Sequence, residues 1–276
     1  GTRGSLPSPG KHTFRYGGNT SCLEVRADNR VLIFDAGSGI RHLGDVLVRN
    51  GEVAAELFLS HFHWDHIQGL PFFRPLYTPE TTMRVHGPRQ GTSDVQSLIA
   101  GQMGPIYFPV PFEALSAKLD FSDLDATPVM VGNAQVTPHR VRHPMNTYGF
   151  RVRNGDSAIA YIPDNELVGG HYDMPHGWYE SLCSFLEGVD VLVHDAMFTN
   201  EEYQKFAGWG HSTFRDAVRL AEDAGVGRLL LFHHSPERTD AALDRIVEEL
   251  RNDIERRNSG LQLAVASEGE DILFEE

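Results

Sequence analysis

Four potential metal ligands lie within six residues of this chain, at His61, His63, Asp65 and His66. They follow directly after the apolar run 56–60, which predicts that a strand ends where the ligands begin. His61 and His63 can aim the same way in an extended turn, and Asp65 and His66 can then turn toward a neighbouring position. Imidazole nitrogens and a carboxylate suit Zn²⁺ or a similar borderline ion. The segment therefore predicts two adjacent metal sites, the alternative being a histidine-rich surface loop.

The pattern His-x-His-x-Asp-His after an apolar strand resembles the metallo-β-lactamase superfamily of metallohydrolases. The resemblance implies an α/β fold, an αββα sandwich of two mixed β-sheets flanked by helices. It also implies further ligands in a set order, each following or ending an apolar stretch, and these match His143, Asp164 and His233. The implied ligands of the first metal are His61, His63 and His143, and those of the second are Asp65, His66 and His233. The resemblance makes Asp164 the bridge between the two metals.

Two of these positions, and also Asp35, have simpler interpretations. His233 is followed by His234, and only one of two neighbours on a strand should reach the metals; the family motif favours His233. His143, taken alone, is as well explained as a surface residue at the end of a strand. Asp35 closes the apolar run 31–34 and resembles an aspartate that braces the metal-binding loop, although alone it is equally typical of a strand-to-turn junction.

A candidate proton-transfer pair lies in residues 193–196 and 210–213, which resemble the ribonuclease Z and phosphodiesterase branch of the superfamily. The positions that match this pair are Asp195 and His211. A leaving alkoxide needs a proton, and an imidazole held by a carboxylate can provide it. The alternative for His211 is a residue at a helix start, beside the cap Ser212. The resemblance makes Asp65 a third catalytic candidate, because it can hold the attacking hydroxide in line.

The charge balance argues against a long nucleic acid as the substrate. The chain has 24 Lys and Arg against 38 Asp and Glu, a formal net charge of -14. Two divalent ions would offset about four of these charges, so the surface stays acidic. The chain also departs from ribonuclease Z, which has a glutamate where Asp195 stands and carries a basic arm that is not found here. We therefore expect a small-molecule phosphodiester as the partner.

We expect a single metallo-β-lactamase-like domain over residues 1–276, with an irregular insertion at about 71–128. Two roles are open for this aromatic and proline-rich insertion: a lid or homodimer contact over the site, or a loop packed on the core. No apolar run approaches 18 residues, which predicts a soluble protein without a membrane partner. Two distant cysteines and no visible secretory signal favour a cytoplasmic location.

Apolar runs and alternation predict ten strands, at 22–27, 31–34, 56–60, 83–86, 135–141, 148–152, 158–162, 189–194, 229–233 and 261–265. Helical spacing is clearest at 212–224 and 241–251. The strands cluster first and then alternate with helices, which is compatible with the implied sandwich.

These observations predict a dinuclear metal-dependent hydrolase. Two divalent ions per chain, with zinc favoured over manganese or iron, would form a bridging hydroxide near neutral pH. The leading hypothesis is a phosphodiesterase for a small phosphodiester such as a cyclic nucleotide. The alternatives are a lactone, thioester or β-lactam hydrolase, a ribonuclease Z-like nuclease, and a noncatalytic sensor. The complete ligand set argues against the sensor, since lost ligands would be expected there.

Overall fold

The structure is a computed structural model that describes residues 1–274, and its strands form two sheets. The strands of the first sheet are β1 (Leu23–Ala27), β2 (Arg30–Phe34), β3 (Ala54–Phe58), β4 (Thr82–Pro88) and β5 (Lys118–Leu124). They lie in chain order, with β1 antiparallel to β2 and the later pairs parallel. The first sheet is therefore mixed.

The second sheet is also mixed. Its strands are β6 (Val129–Val131), β7 (Ala134–Arg140), β8 (Tyr148–Asn154), β9 (Ser157–Ile162), β10 (Val191–Asp195), β11 (Arg228–Phe232) and β12 (Gln262–Val265). Neighbouring strands pair antiparallel from β6 through β9 and parallel from β9 through β12. As a result, β7, β9, β10 and β11 all run in one direction and end at the same edge of the sheet.

Helices cover the outer faces of both sheets. The α-helices are α1 (Ile40–Asn50), α2 (Trp64–Ile67), α3 (Val95–Gln102), α4 (Trp178–Leu186), α5 (Asn200–Phe206), α6 (Phe214–Asp223) and α7 (Asp240–Arg256). Short 3₁₀ helices occupy Leu70–Phe72, Arg74–Tyr77 and Phe112–Ala114. None of the helices in the described residues combines the length and apolar character needed to cross a bilayer.

Strand alternation divides the core into three apolar layers. In β2, Phe34 faces the second sheet while its neighbour Ile33 packs beneath the helices of the first sheet. In β11, Phe232 faces the first sheet while Leu231 packs beneath α4, α6 and α7. The middle layer between the sheets and the two outer layers under helices confirm the predicted αββα sandwich.

All ten predicted strands are present, but the segment 71–128 is more regular than expected. It contributes β4 and β5 to the first sheet and carries α3 between them. Strand β5 escapes sequence analysis because its outward positions are charged or polar, as in Lys118 and Asp120, so no apolar run marks it. The short strand β6 and helices α1 and α4 were not predicted either.

Candidate metal centre

The predicted ligands lie together because the strands that precede them end at one edge of the sandwich. His61 and His63 follow β3, and α2 begins at the next residue and carries Asp65 and His66. In the second sheet, His143 follows β7, Asp164 follows β9 and His233 follows β11. The loops at this edge thus bring ligands that are distant in sequence to one point.

Three histidines face one oxygen of Asp164; we call His61, His63 and His143 the first ligand group. The Nε2 atoms of His61 and His143 are each 3.7 Å from Asp164 Oδ2. His63 joins them through Nδ1, which lies 3.0 Å from His143 Nε2. The group therefore presents three ring nitrogens and one carboxylate oxygen around a common point.

The other oxygen of Asp164 faces the second ligand group, Asp65, His66 and His233. Asp164 Oδ1 is 3.0 Å from His66 Nε2 and 3.3 Å from His233 Nε2. Asp65 Oδ2 lies 3.4 Å from His66 Nε2 and 3.1 Å from His233 Nε2. Asp164 thus has one oxygen on each ligand group.

These atoms fit a pair of divalent cations. Ligands placed 2.0–2.2 Å from zinc at tetrahedral angles are about 3.4 Å apart, close to the separations within each group. His61 Nε2, His66 Nε2 and Asp164 Oδ1 are buried and make no hydrogen bond within the described structure. Buried polar atoms nearly always have partners, so three convergent buried atoms without a hydrogen bond fit cations bound between them.

The environment of the histidines sets which nitrogen faces the centre. His66 Nδ1 lies 2.8 Å from Asp35 Oδ2, His61 Nδ1 lies 3.0 Å from Ser60 Oγ, and His143 Nδ1 lies 3.0 Å from the carbonyl of Gly210. Each acceptor retains the proton on Nδ1, which leaves the lone pair of Nε2 directed at the centre. Burial lowers the pKa of His143 to about 3, so this imidazole is neutral and able to bind metal.

The carboxylates remain ionised despite their burial. Burial opposes ionisation of Asp164, but His233 and His66 outweigh it and hold the pKa of Asp164 well below its usual value. Burial would likewise lower the pKa of His66, but the carboxylates of Asp164 and Asp65 hold it well above the usual range. Asp164 is therefore ionised, which is the state in which a carboxylate binds a metal ion.

Asp35 braces the loop that carries the first ligands. It accepts hydrogen bonds from the Ser60 amide at 2.7 Å, the Ser60 hydroxyl at 2.9 Å and the Tyr161 hydroxyl at 2.9 Å, in addition to its contact with His66. Asp35 and His233 are also two of the few non-glycine residues with positive φ, at 61° and 56°. Backbone strain of this kind is typical of functional sites, where the surroundings enforce it.

His211 and Asp195 form a pair at the edge of the centre. His211 Nδ1 lies 3.0 Å from Asp195 Oδ2, and the ring stacks on His233 with centroids 4.9 Å apart. Burial lowers the pKa of His211, but the Asp195 carboxylate outweighs burial and raises it to about 9. The same Nδ1 is 3.8 Å from Asp164 Oδ2, so His211 is also within reach of a metal bound there.

A family model described as a β-lactamase superfamily domain matches residues 29–234, which include every residue of both ligand groups. The chain belongs to this superfamily. The resemblance predicted from the motifs is thus confirmed. Together, the family and the cluster of histidines and aspartates support a metal-dependent hydrolase that binds divalent ions.

Relatives within the superfamily differ in their described activities. Ribonuclease BN of Salmonella paratyphi C (strain RKS4594) is 25% identical over 264 residues, covering 80% of this chain and 84% of the relative. A diphosphatase from the PhnP family has a TM-score of 0.69 at 20% identity and covers 100% of this chain and 96% of its own. The metallo-β-lactamase fold protein YhfI from Bacillus subtilis has the same TM-score and identity, with coverages of 98% and 95%. These structures share the superfamily fold with this chain.

The family motif favours His233 over its neighbour His234, and the geometry agrees with that choice. His233 reaches Asp65 and Asp164, whereas His234 is fully buried beside Arg3 and Tyr16, and its ring nitrogens make no hydrogen bond within the described residues. Burial and the charge of Arg3 lower the pKa of His234 to about 3. His234 is therefore a neutral core residue.

The simpler interpretation of His211 as the neighbour of a helix cap needs a correction. The cap of α6 is Thr213, whose side chain accepts from the Asp216 amide. Ser212 instead donates its hydroxyl to the Asn165 carbonyl and its amide to Asp195. Residues 211 and 212 are thus held by Asp195 rather than by the helix start.

Sequence analysis missed Glu166, which organises the loop that carries His211. Its buried carboxylate accepts from the amides of Gly208 at 2.8 Å and Gly210 at 2.9 Å and from the hydroxyls of Tyr172 and Tyr203. Gly210, with φ of 91°, lies so close to His143 that a Cβ would overlap the ring. The signal in the sequence was an acidic residue two positions after Asp164, which alone has no distinctive meaning.

Proposed function

We propose that the chain is a dinuclear metal-dependent phosphodiesterase that acts on a small phosphodiester such as a cyclic nucleotide. One observation carries the proposal: Asp164 directs one oxygen to each ligand group, and the His211–Asp195 pair lies beside the same carboxylate. Two sites that share a ligand suit a reaction in which both the attacking and the leaving oxygen need support.

A pair of divalent ions supplies Lewis acidity, which makes water a nucleophile near neutral pH and stabilises charge on phosphate oxygens. The chain contributes the positioning. Asp65, whose Oδ2 accepts a hydrogen bond from a backbone amide, is placed to accept a hydrogen bond from the attacking water and hold it in line with the phosphorus. Asp164 and Asp65 also keep the centre anionic until cations bind.

His211 is assigned as the general acid for the leaving group. Asp195 holds Nδ1, which leaves Nε2 as the nitrogen that can release a proton. As the water oxygen bonds to phosphorus, the water releases a proton to solvent, and as the ester P–O bond breaks, the departing alkoxide accepts the Nε2 proton. Asp195 then keeps the neutral imidazole ring of His211 in its orientation.

The substrate panel separates phosphodiester chemistry from the other reactions of the fold. Zinc-loaded and manganese-loaded chain would be assayed on bis-p-nitrophenyl phosphate, a thioester and nitrocefin, followed by cyclic and linear nucleotides. We expect turnover of the phosphodiester and of at least one small nucleotide. Preferred cleavage of the thioester or nitrocefin would overturn the phosphodiesterase assignment, and no turnover with both metals bound would favour a noncatalytic role.

Similarity to ribonuclease BN favours a second candidate, a nuclease. The net charge of -14 opposes it, because RNA-binding surfaces neutralise phosphates with Lys and Arg. Cleavage of a precursor tRNA and cleavage of a cyclic nucleotide, each measured at two salt concentrations, distinguish the nuclease from the phosphodiesterase. Efficient RNA cleavage that weakens steeply with salt would establish the nuclease.

A further inference from the structure

The N-terminal residues 2–5, which we call the strap, lie against the metal centre. They precede the residues that the family model matches. The backbone of the strap pairs with the end of β11: the His234 amide donates to the Thr2 carbonyl at 3.0 Å, and the Gly4 amide donates to the His234 carbonyl at 3.0 Å. The strap therefore forms an isolated parallel bridge to His234 just after β11, directly beside His233.

Arg3 fixes the strap in the core. Its side chain is fully buried, with Nε donating to the Gly17 carbonyl at 2.8 Å and Nη1 donating to the Arg238 carbonyl at 2.6 Å. A third bond from Nη1 reaches the Ser235 carbonyl at 3.3 Å. Nη2 lies 3.6 Å from Asp240 Oδ1, so the three hydrogen bonds and this ion pair hold the strap at one position.

Two strap residues contact the second ligand group directly. The amide of Ser5 donates to Asp65 Oδ2 at 2.6 Å, and this is the oxygen that lies 3.1 Å from His233 Nε2. A carboxylate oxygen has two lone pairs, so the bond to Ser5 leaves one directed at the centre. Gly4 lies against the ring of His233, and a Cβ there would overlap its Cε1 and Nδ1 atoms.

We propose that the strap is a positioning element of the second ligand group. The Ser5 amide fixes the orientation of Asp65, and the absence of a side chain at Gly4 leaves the His233 ring the space it needs. This inference rests on the proposed dinuclear centre and adds to it a structural requirement from residues outside the matched region. Partners of metal ligands usually contribute about 10- to 100-fold to metal affinity.

The matched pair Gly4→Ala and Gly10→Ala tests the proposal. Gly10 lies in the same N-terminal segment, and a Cβ there meets no atom within 4 Å. Zinc affinity would be measured by competition with a chromophoric chelator. In Gly4→Ala we expect the zinc of the second ligand group to bind about 10- to 100-fold more weakly and the first group to retain its ion. Gly10→Ala should match the unsubstituted chain, and equal affinities in all three proteins would overturn the proposal.

Ser5 offers a second comparison, because the proposal depends on its amide and not on its hydroxyl. Ser5→Ala retains the N–H and should bind zinc normally, whereas Ser5→Pro removes the donor and cannot adopt the φ of 60° found here. A loss of affinity in Ser5→Ala as large as that in Ser5→Pro would contradict the assigned role.

Hydrogen exchange on the unsubstituted chain tests the proposed role of the strap even if Gly4→Ala fails to fold. By linkage, the ion that the strap helps to bind should in turn protect the strap amides. Protection of residues 2–5 should rise when the second ligand group binds its zinc, and unchanged exchange after two equivalents have bound would overturn the proposal. Failure to bind two equivalents at all would instead refute the dinuclear centre itself.

Discussion

The two ligand groups share Asp164 but differ in the charge of their own ligands and of the groups that brace them. The first group consists of histidines braced by the Ser60 hydroxyl and the Gly210 carbonyl, both neutral. The second group contains the carboxylate of Asp65 and is braced by the carboxylate of Asp35 through His66. His63 is also only half-buried, whereas the members of the second group are buried.

This difference indicates that the two sites are not equivalent. Carboxylates attract a divalent ion more strongly than neutral imidazoles do, and a carboxylate bound to Nδ1 raises the basicity of the ligating nitrogen. The second group should therefore hold its ion more tightly, and a chelator should remove the first group's ion first.

Asp164→Ala should have the largest effect, because it removes the one ligand on which both groups depend. We expect loss of both ions and of all detectable turnover, measured by elemental analysis and hydrolysis of bis-p-nitrophenyl phosphate. Asp173→Ala, at an exposed position, is the matched control and should retain both. If Asp164→Ala lost one ion only, Asp164 would be a terminal ligand of that site and the bridge would lie elsewhere.

Substitution within each group should reveal the asymmetry. His63→Ala should lose the first group's ion and all turnover but retain about one zinc per chain after dialysis, whereas His66→Ala should retain less than one. His42→Ala, on the exposed face of α1, controls for the loss of a histidine. Equal metal contents in the two ligand variants would contradict the expected difference in affinity between the two groups. Unchanged metal content and turnover in His63→Ala would refute the assignment of His63 as a ligand.

His211→Ala should retain both ions and lose roughly two to four orders of magnitude in turnover on substrates with poor leaving groups. The loss on a p-nitrophenyl diester should be much smaller, because that group departs without a proton. His171→Ala, in an exposed loop, is the control. Loss of an ion would make His211 a metal ligand, and equal losses on both substrates would make it a positioning residue.

Glu166→Gln should have the smallest effect. The amide cannot accept hydrogen bonds on its nitrogen side, so one loop amide at Gly208 or Gly210 loses its partner, at a cost of about 1–3 kcal/mol in the free energy of unfolding. Turnover should fall by less than in His211→Ala and mainly on poor leaving groups. Thermal unfolding measures the loss of stability, and the same two substrates measure the loss of turnover, with Glu201→Gln on α5 as the control. An equal fall on both substrates would argue against a role of Glu166 in positioning His211.

The sequence predicted the residues of both ligand groups through the resemblance of their motifs to the superfamily, and the structure brings these residues together at one edge of the sandwich. It also predicted ten strands, since buried strands leave apolar runs. The exposed strand β5 leaves no such run, and α1 has a charged outer face that obscured its apolar stripe.

The supporting contacts were beyond sequence analysis because they depend on tertiary proximity. Nothing local distinguishes Glu166 from any other acidic residue, and Ser5 contacts Asp65 through its backbone amide, which every residue except proline possesses. The choice of His233 over His234 came from the family motif, whereas the burial of His234 beside the strap could not be predicted from the sequence.

Anomalous diffraction at the zinc edge, from crystals of the zinc-loaded chain, tests the central claim most directly. The account predicts two peaks about 3.5–4 Å apart, one within each ligand group, with the two oxygens of Asp164 bound to different ions. A single peak, or two peaks with Asp164 bound to only one of them, would contradict the shared centre from which the proposed phosphodiesterase function follows.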